Sequence, residues 1–235
     1  MRFSLRVRVV AEFLGTAFLV AAVVGSGITG ERLAAGNIAL ALLANTIATG
    51  AALVALILTF GPVSGAHFNP VVSVMDAFEG GLTPSEAGGY CLAQVSGGVL
   101  GTLAAHAMFG MPWISLSHHA RNGPAQLLSE FIATFGLLSV IWGCSRSRSS
   151  IVPFAVASYI VAAYWFTAST SFANPAVAIA RSLSDTFAGI RPADVLPFVV
   201  AQFAGGLGAT FLFRWIGPNL TSSAKDVVIP HMSEQ

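Results

Sequence analysis

Two short stretches place Asn-Pro inside apolar, nearly charge-free sequence, and they constrain the fold more than any other feature. They are Ala66-His67-Phe68-Asn69-Pro70-Val71 and Ser171-Phe172-Ala173-Asn174-Pro175-Ala176-Val177. Asn is favoured as an N-cap and Pro at the first helical position, so each stretch predicts the start of a short helix. A helix that starts inside a membrane points unpaired N–H groups into the bilayer, which is tolerated only against protein or a water-filled cavity. Two such starts predict a pore.

The whole chain has the composition of a membrane protein. Of its 235 residues, 55% are hydrophobic and only 9% are charged, whereas soluble domains carry roughly a quarter charged residues. The net charge of +1 argues against a nucleic-acid partner. Arginines precede the first apolar run, as in a signal peptide, but that run contains Glu12 and continues past Val24, so we expect a retained first span.

Six apolar segments are each near the ~20 residues that a helix needs to cross a bilayer. The predicted spans are residues 9–29, 38–60, 86–109, 126–144, 150–168 and 195–217. Two further apolar pieces, 66–79 and 170–184, are too short to cross and hold the Asn-Pro stretches, so they are predicted to be re-entrant half-helices. We expect an all-α membrane protein with one channel domain at 1–219 and a polar cytoplasmic tail at 220–235.

Six crossings put both termini on one side of the bilayer. That side carries Arg2, Arg6, Arg8, Arg146, Arg148, Arg214 and Lys225, against Arg32, Arg121, Arg181 and Arg191 on the other. Because cytoplasmic loops carry an excess of Lys and Arg, we expect an inner-membrane protein with cytoplasmic termini. The Asn69 loop then enters from the cytoplasm and the Asn174 loop from outside.

The two halves, about 9–109 and 126–217, repeat one order of motifs. Ala11-Glu12-Phe13-Leu14-Gly15-Thr16 is echoed by Ser129-Glu130-Phe131-Ile132-Ala133-Thr134, and Ala93-Gln94 with Gly97-Gly98 by Ala201-Gln202 with Gly205-Gly206. Three spans per repeat is an odd number, so the halves are inverted relative to each other, an arrangement that places a site at the midplane. The two Asn-Pro loops are therefore expected to meet head to head.

Asn69 and Asn174 are the predicted centre of this pore. As N-caps they can donate amide N–H groups to a passing oxygen while their side-chain carbonyls accept from the backbone. Asparagines that merely cap buried helices are the alternative, but capping does not explain two inverted copies. The backbone before each Asn can offer carbonyls along one wall, at Gly65, Ala66, His67, Phe68, Thr170, Phe172 and Ala173.

Together these motifs resemble the major intrinsic protein family, the aquaporins and aquaglyceroporins. The resemblance runs from about Val9 to Gly217 and includes Ser64-Gly65-Ala66-His67-Phe68-Asn69-Pro70, Asn174-Pro175-Ala176 and the two Glu helices. It implies a homotetramer with one pore per subunit. In such pores selectivity is known to come from diameter, hydrogen-bond donors and half-helix dipoles. It also implies that Glu12 and Glu130 brace the loop backbones, with a proton relay as the alternative for an intramembrane carboxylate.

The resemblance also identifies four positions of the family's outer constriction, namely Thr49, Ala162, Ser171 and Val177. All four are small or medium, and Val177 stands directly after Asn-Pro-Ala, where the family usually has Arg. This departure predicts a wider, less polar mouth that admits solutes larger than water. Arg181 falls on the same helix face one turn further out. We expect it either in the outer vestibule, attracting polyhydroxyl or anionic solutes, or snorkelling at the membrane edge.

The stretch from Asn174 to Leu183 resembles a branch of bacterial aquaglyceroporins encoded beside arsenic-resistance genes. That resemblance implies hydroxylated metalloids, such as arsenite or methylated arsenicals, as solutes beside water and glycerol-like polyols. Two alternatives stay open. One is a mainly water-conducting pore, and the other is an ion-coupled secondary transporter, since inverted repeats with broken helices are equally typical of transporters.

No pattern in the sequence indicates an enzyme, a metal site or a bound cofactor. It has no nucleophile elbow, no paired catalytic carboxylates and no phosphate-binding Gly loop. Cys91 and Cys144 are too few and too far apart for a disulfide scaffold or a zinc site. The adjacent His118-His119 lacks the helical spacing of a metal pair.

Four further positions carry hypotheses about packing near the pore. Gln94 and Gln202 are expected to bond across helices at the Gly-Gly contacts, where small residues permit close packing. His67 is expected to line the cytoplasmic half of the pore or to pack in the core. Val71 stands where the family usually has Ala and adds bulk beside the centre.

Overall fold

The computed structural model describes residues 3–147 and 149–216, and within these ranges the chain is helical and contains no strand. The helices are α1 (Leu5–Leu33), α2 (Ile38–Ser64), α3 (Pro70–Phe78), α4 (Pro84–Met108), α5 (Pro124–Ser147), α6 (Val152–Phe166), α7 (Pro175–Arg181) and α8 (Pro192–Ile216), with a short 3-10 turn at Ser149–Ile151. Six stretches are long and apolar enough to cross a membrane, namely α1, α2, α4, α5, the 3-10 turn together with α6, and α8. The short helices α3 and α7 are not among them. The predicted fold class is thus confirmed, while the tail at 220–235 lies outside the described residues.

Local sequence signals set the helix boundaries. The side chain of Asn37 caps α2 by accepting from the Leu40 N–H, and α2 ends at Gly65, whose φ of 91° lies in the left-handed region that favours glycine. Helix α4 opens with a capping box between Thr83 and Glu86. Helices α3 and α7 each begin with Pro at the first position after an Asn N-cap, so the chain starts both half-helices where the Asn-Pro pairs predict.

Glycines bring together the equivalent long helices of each half. A Cβ on Gly97 of α4 would lie 2.3 Å from the Phe13 carbonyl oxygen of α1, and a Cβ on Gly205 of α8 would lie 2.3 Å from the Phe131 carbonyl oxygen of α5. Such close backbone contact is typical of membrane helices, which pack through small residues. The repeat seen in the sequence therefore recurs in the packing of α1 with α4 and α5 with α8.

The half-helices fill the space between the two halves of the bundle. Both α3 and α7 pack against α4 and α8, and they contact each other. Their N-terminal ends, at Asn69 and Asn174, meet in the interior. Large apolar side chains are exposed around the outside of the bundle, among them Leu43, Phe154 and Phe211, as expected for a surface that faces lipid tails.

Candidate functional site: a passage between the half-helices

The side chains of Asn69 and Asn174 hold the two loops together at the centre. Each side-chain oxygen accepts from the backbone N–H two residues on, at 3.0 Å for Asn69 and 2.9 Å for Asn174. Each side-chain amide donates across to the other loop, from Asn69 to the Ala173 carbonyl and from Asn174 to the Phe68 carbonyl, both at 2.7 Å. An amide nitrogen carries two hydrogens, so each asparagine has one further N–H that it can donate.

A cavity of about 80 Å³ passes both asparagines, and its walls differ in character. One wall consists of the backbone and polar side chains of the two loops. The other wall is aliphatic and is formed by Leu19, Val23, Leu53, Ile57, Val72, Leu137, Ile141, Val152, Val156 and Ile160. The passage is therefore polar on one side and apolar on the other.

Six of the seven residues predicted to supply wall carbonyls lie in the wall, and Thr170 does not. Gly65, Ala66, His67 and Phe68 line the cavity in one loop, with Phe172 and Ala173 in the other. The prediction for Thr170 was wrong, because Thr170 does not line the cavity, whereas the neighbouring Ser171 does. The Thr170 hydroxyl accepts from Arg121. The carbonyls of Phe68 and Ala173 have a function that the sequence did not indicate, since they bind the asparagines.

Glu12 binds the Asn69 loop with both carboxylate oxygens. Oε1 accepts from the Ser64 hydroxyl at 2.6 Å and from the His67 N–H at 3.0 Å. Oε2 accepts from the Phe68 N–H at 2.7 Å and from the Gln94 amide at 2.8 Å. Glu12 is fully buried, so these four donors replace the water that an ionised carboxylate would otherwise need.

Glu130 makes the same set of contacts in the other half. Its carboxylate accepts from the Ser169 hydroxyl, the Phe172 and Ala173 N–H groups and the Gln202 amide, at 2.6 to 2.9 Å. The two serines were missed in the sequence. The signal was present, however, because Ser64 and Ser169 each lie five residues before an asparagine.

The loops bound by the glutamates have an unusual backbone. Five non-glycine residues have φ between 47° and 58°, namely Ala66, Phe68, Thr170, Ser171 and Ala173. The left-handed region costs an L-residue roughly 1–2 kcal/mol, and such conformations persist only where the surroundings fix them. The glutamates hold the N–H groups of Phe68 and Ala173 directly. The N–H groups of Ala66 and Ser171 are held by the hydroxyls of Ser64 and Ser169, which themselves donate to Glu12 and Glu130.

Three of the four predicted filter residues, Thr49, Ser171 and Val177, line one end of the cavity. The fourth prediction was wrong, because Ala162 is exposed on the outside of the bundle. Tyr164 lines the cavity instead, with its hydroxyl 3.3 Å from that of Thr49. Residues two positions apart in a helix lie about 200° apart around its axis, so Ala162 and Tyr164 face nearly opposite directions.

Arg181 lies in the same part of the cavity wall, and we refer to this region, formed by Thr49, Tyr164, Ser171, Val177 and Arg181, as the Arg181 mouth. Arg181 is only 2% exposed, so it does not snorkel at the membrane edge. Its guanidinium carbon lies 3.5 Å from the centre of the Phe172 ring, and its Nε donates to the Ala188 carbonyl.

The remaining hypotheses concern side chains around the half-helices. Gln94 and Gln202 do bond across helices, but to the two glutamates. His67 lines the cavity, with Nδ1 3.1 Å from the Ser73 hydroxyl oxygen. Val71 packs away from the passage and against Gly206, where a Cβ would lie 2.4 Å from a Val71 methyl carbon.

These features define a membrane channel built from two inverted halves. The sequence matches the Major intrinsic protein family over residues 2–167, and the chain belongs to that family, whose members are channels and not enzymes.

Individual relatives narrow the comparison. Aquaglyceroporin AqpS of Rhizobium meliloti (strain 1021) is 55% identical over 214 residues, which cover 91% of each chain. Aquaporin Z of Bradyrhizobium diazoefficiens is 28% identical and covers 90% of this chain and 93% of its own. The X-ray structure of the aquaglyceroporin from Plasmodium falciparum superposes with a TM-score of 0.70 at 20% identity, covering 92% of this chain and 99% of that one. That last similarity supports the fold alone.

Proposed function

We propose that this chain is a passive channel for water, glycerol-like polyols and hydroxylated metalloids such as arsenite and methylated arsenicals. The two-sided passage carries the proposal. A polyol can bond its hydroxyl groups to the amides of Asn69 and Asn174 and to the loop backbone while its CH₂ groups face the aliphatic wall. Arsenous acid is an uncharged trihydroxy molecule at neutral pH, so it can use the same donors. The 55% identity to an aquaglyceroporin supports this solute class.

The Arg181 mouth is the proposed selectivity filter, and it is widened at Val177. Val177 brings no guanidinium into the position that follows Asn-Pro-Ala. Thr49 and Ser171 add only small side chains, and the Ser171 hydroxyl is buried with no hydrogen-bond partner among the residues that the structure describes. An unpaired hydroxyl in the wall favours a solute that brings its own oxygen, since an unpaired buried polar group is costly. Arg181, held beside Phe172, orients hydroxyl-rich solutes without closing the mouth.

A coupled transporter is the less supported candidate. Such a protein needs an ion-binding or protonatable centre. Glu12 and Glu130, the carboxylates that contact the two Asn-Pro loops, are the candidates for it. Each already accepts four hydrogen bonds from its own loop and a neighbouring glutamine. Both are therefore proposed to brace the backbone and not to relay protons.

The proposed setting is the inner membrane, with both termini in the cytoplasm and four subunits per assembly. The charge asymmetry of the loops supports the orientation. Family membership supports the tetramer with one passage per subunit. In this orientation the Arg181 mouth opens to the outside.

Swelling of proteoliposomes with one reconstituted preparation tests the proposal. Water, glycerol and arsenite permeabilities are measured in turn, each with and without a proton gradient. We expect all three to exceed those of empty vesicles, without saturation and without gradient dependence. Water permeability alone would favour the water-only pore. Strict dependence on the gradient would favour the transporter.

A further inference from the structure

Two guanidinium groups contact the same aromatic ring at the Arg181 mouth. The guanidinium carbon of Arg181 lies 3.5 Å from the centre of the Phe172 ring, and that of Arg121 lies 5.0 Å from it. Both distances are within the range of a cation–π contact. Because both distances are measured to the centre of one ring, the two guanidinium carbons lie at most about 8.5 Å apart, and salt screens buried charges much less than exposed ones.

Arg121 reaches this ring from the segment that joins α4 to α5, and it is held firmly. Its Nε donates to the Gly189 carbonyl at 2.8 Å and its terminal nitrogen to the Ser169 carbonyl at 3.1 Å. Its backbone N–H donates to the Asp194 carboxylate at 2.8 Å. Arg121 therefore connects three segments around the mouth, although it does not line the cavity itself.

Neither charge is neutralised by a direct ion pair within the described part of the chain. The ion pairs there join other residues, and the Glu130 carboxylate is occupied by its own four donors. Burial lowers the pKa of Arg121 to about 10, so it still carries its charge at neutral pH. Among the described residues, the two guanidinium groups at the mouth are therefore held by backbone carbonyls, the Thr170 hydroxyl and the Phe172 ring, without a carboxylate in direct contact.

We propose that Arg121 and Arg181 jointly exclude cations at the Arg181 mouth, with Arg121 as a specificity residue that acts from behind the wall. A cation entering beside Phe172 meets two like charges at short range in a poorly polarisable environment, where Coulomb repulsion is far stronger than in water. An uncharged solute meets no such barrier. The mouth can therefore be wide at Val177 and still reject ions. This inference adds to the channel function and does not depend on which neutral solute passes.

The test compares cation leak with glycerol permeability in the same vesicles. Proton and potassium fluxes are measured under an imposed potential in proteoliposomes of neutral phosphatidylcholine, and each is divided by the glycerol swelling rate. The variants are Arg121→Gln, Arg181→Gln, their double, and the charge-conserving Arg121→Lys. Arg32→Gln is the matched control, because Arg32 is exposed and lies at the same end of the bundle, next to the Glu31 that binds the Phe187 N–H.

Each charge is expected to contribute a factor on the order of ten to cation exclusion. The double variant should therefore show the largest leak ratio, each single Gln variant a smaller rise, and Arg121→Lys and Arg32→Gln a ratio near that of the unmodified chain. A double variant that conducts glycerol and stays tight to cations overturns the proposal. So does an Arg121→Lys variant that leaks like Arg121→Gln, because that result assigns Arg121 to bracing alone.

Arg121→Gln removes several hydrogen bonds and can prevent folding. In that case Arg181→Gln decides the matter, since it breaks one hydrogen bond, to the Ala188 carbonyl. A leak ratio several-fold above that of Arg32→Gln supports the proposal, and an equal ratio refutes it.

Discussion

Replacing Glu130 with Gln tests how the strained loop before Asn174 is held. The change preserves size but converts one carboxylate oxygen into an NH₂ group. If the amide oxygen takes the place of Oε1, it keeps the Ser169 hydroxyl and the Phe172 N–H, while the new NH₂ group faces the Ala173 N–H, which lies 2.8 Å from Oε2 in the unmodified chain. Gln202 can adapt by turning its amide, because its Oε1 is buried and has no hydrogen-bond partner in the described part of the chain. The Ala173 N–H cannot adapt.

The cost follows from these contacts. One buried backbone N–H left unpaired costs about 1–3 kcal/mol, and the remaining bonds lose the extra strength that a charged acceptor gives. The sum is about 2–4 kcal/mol. For a chain of this size, each kcal/mol shifts the unfolding temperature by roughly 2–4 °C, so Glu130→Gln should lower it by roughly 5 to 15 °C. Glycerol permeability should fall as well, because Ala173 loses the N–H contact that helps to hold its positive φ.

Thermal unfolding in detergent, followed by tryptophan fluorescence, measures the first effect and vesicle swelling the second. Glu31→Gln is the matched control, since Glu31 also accepts a backbone N–H, from Phe187 at 3.2 Å, but at an exposed position. Its effect should stay below about 1 kcal/mol. If Glu130→Gln unfolds at the same temperature as Glu31→Gln, the carboxylate does not brace the loop. If it also conducts glycerol normally but loses a proton-dependent flux, Glu130 is a relay.

Two other predictions concern packing and selectivity. Gly206→Ala places a Cβ 2.4 Å from a methyl carbon of Val71 and should cost about 1–3 kcal/mol of unfolding free energy through overpacking. The double variant with Val71→Ala should recover most of that loss in the same unfolding assay. A double variant that is no more stable than Gly206→Ala would contradict the contact. Val177→Arg should narrow the Arg181 mouth, so that arsenite permeability falls more than water permeability in swelling assays, and equal loss of both would contradict a filter at this position.

The sequence predicted the half-helices well because their signals are local. Asn-Pro sets an N-cap and a first helical turn without reference to the rest of the chain, and the helices do begin at Pro70 and Pro175. The inverted repeat then required the two starts to meet. Motif repetition also located Glu12 and Glu130, since each occupies the same place in its half.

The mouth was predicted less well because its geometry is set by tertiary contacts. The family resemblance alone placed Ala162 in the filter, without regard to how α6 is rotated about its axis. A helical pattern could have shown this rotation, because Val152, Val156, Ile160 and Tyr164 recur every fourth residue and share one face. No local pattern could have found Arg121, which reaches the mouth from a segment 51 residues before Phe172.

The two halves depend on each other most at the centre of the passage. Asn69 is oriented by the carbonyl that precedes Asn174, and Asn174 by the carbonyl that precedes Asn69. Those carbonyls, of Ala173 and Phe68, belong to residues with positive φ whose N–H groups are bound by Glu130 and Glu12. Each glutamate therefore positions the asparagine of the opposite half. Neither half can form these reciprocal contacts alone, which is why the centre of the passage needs both copies of the motif and needs them inverted.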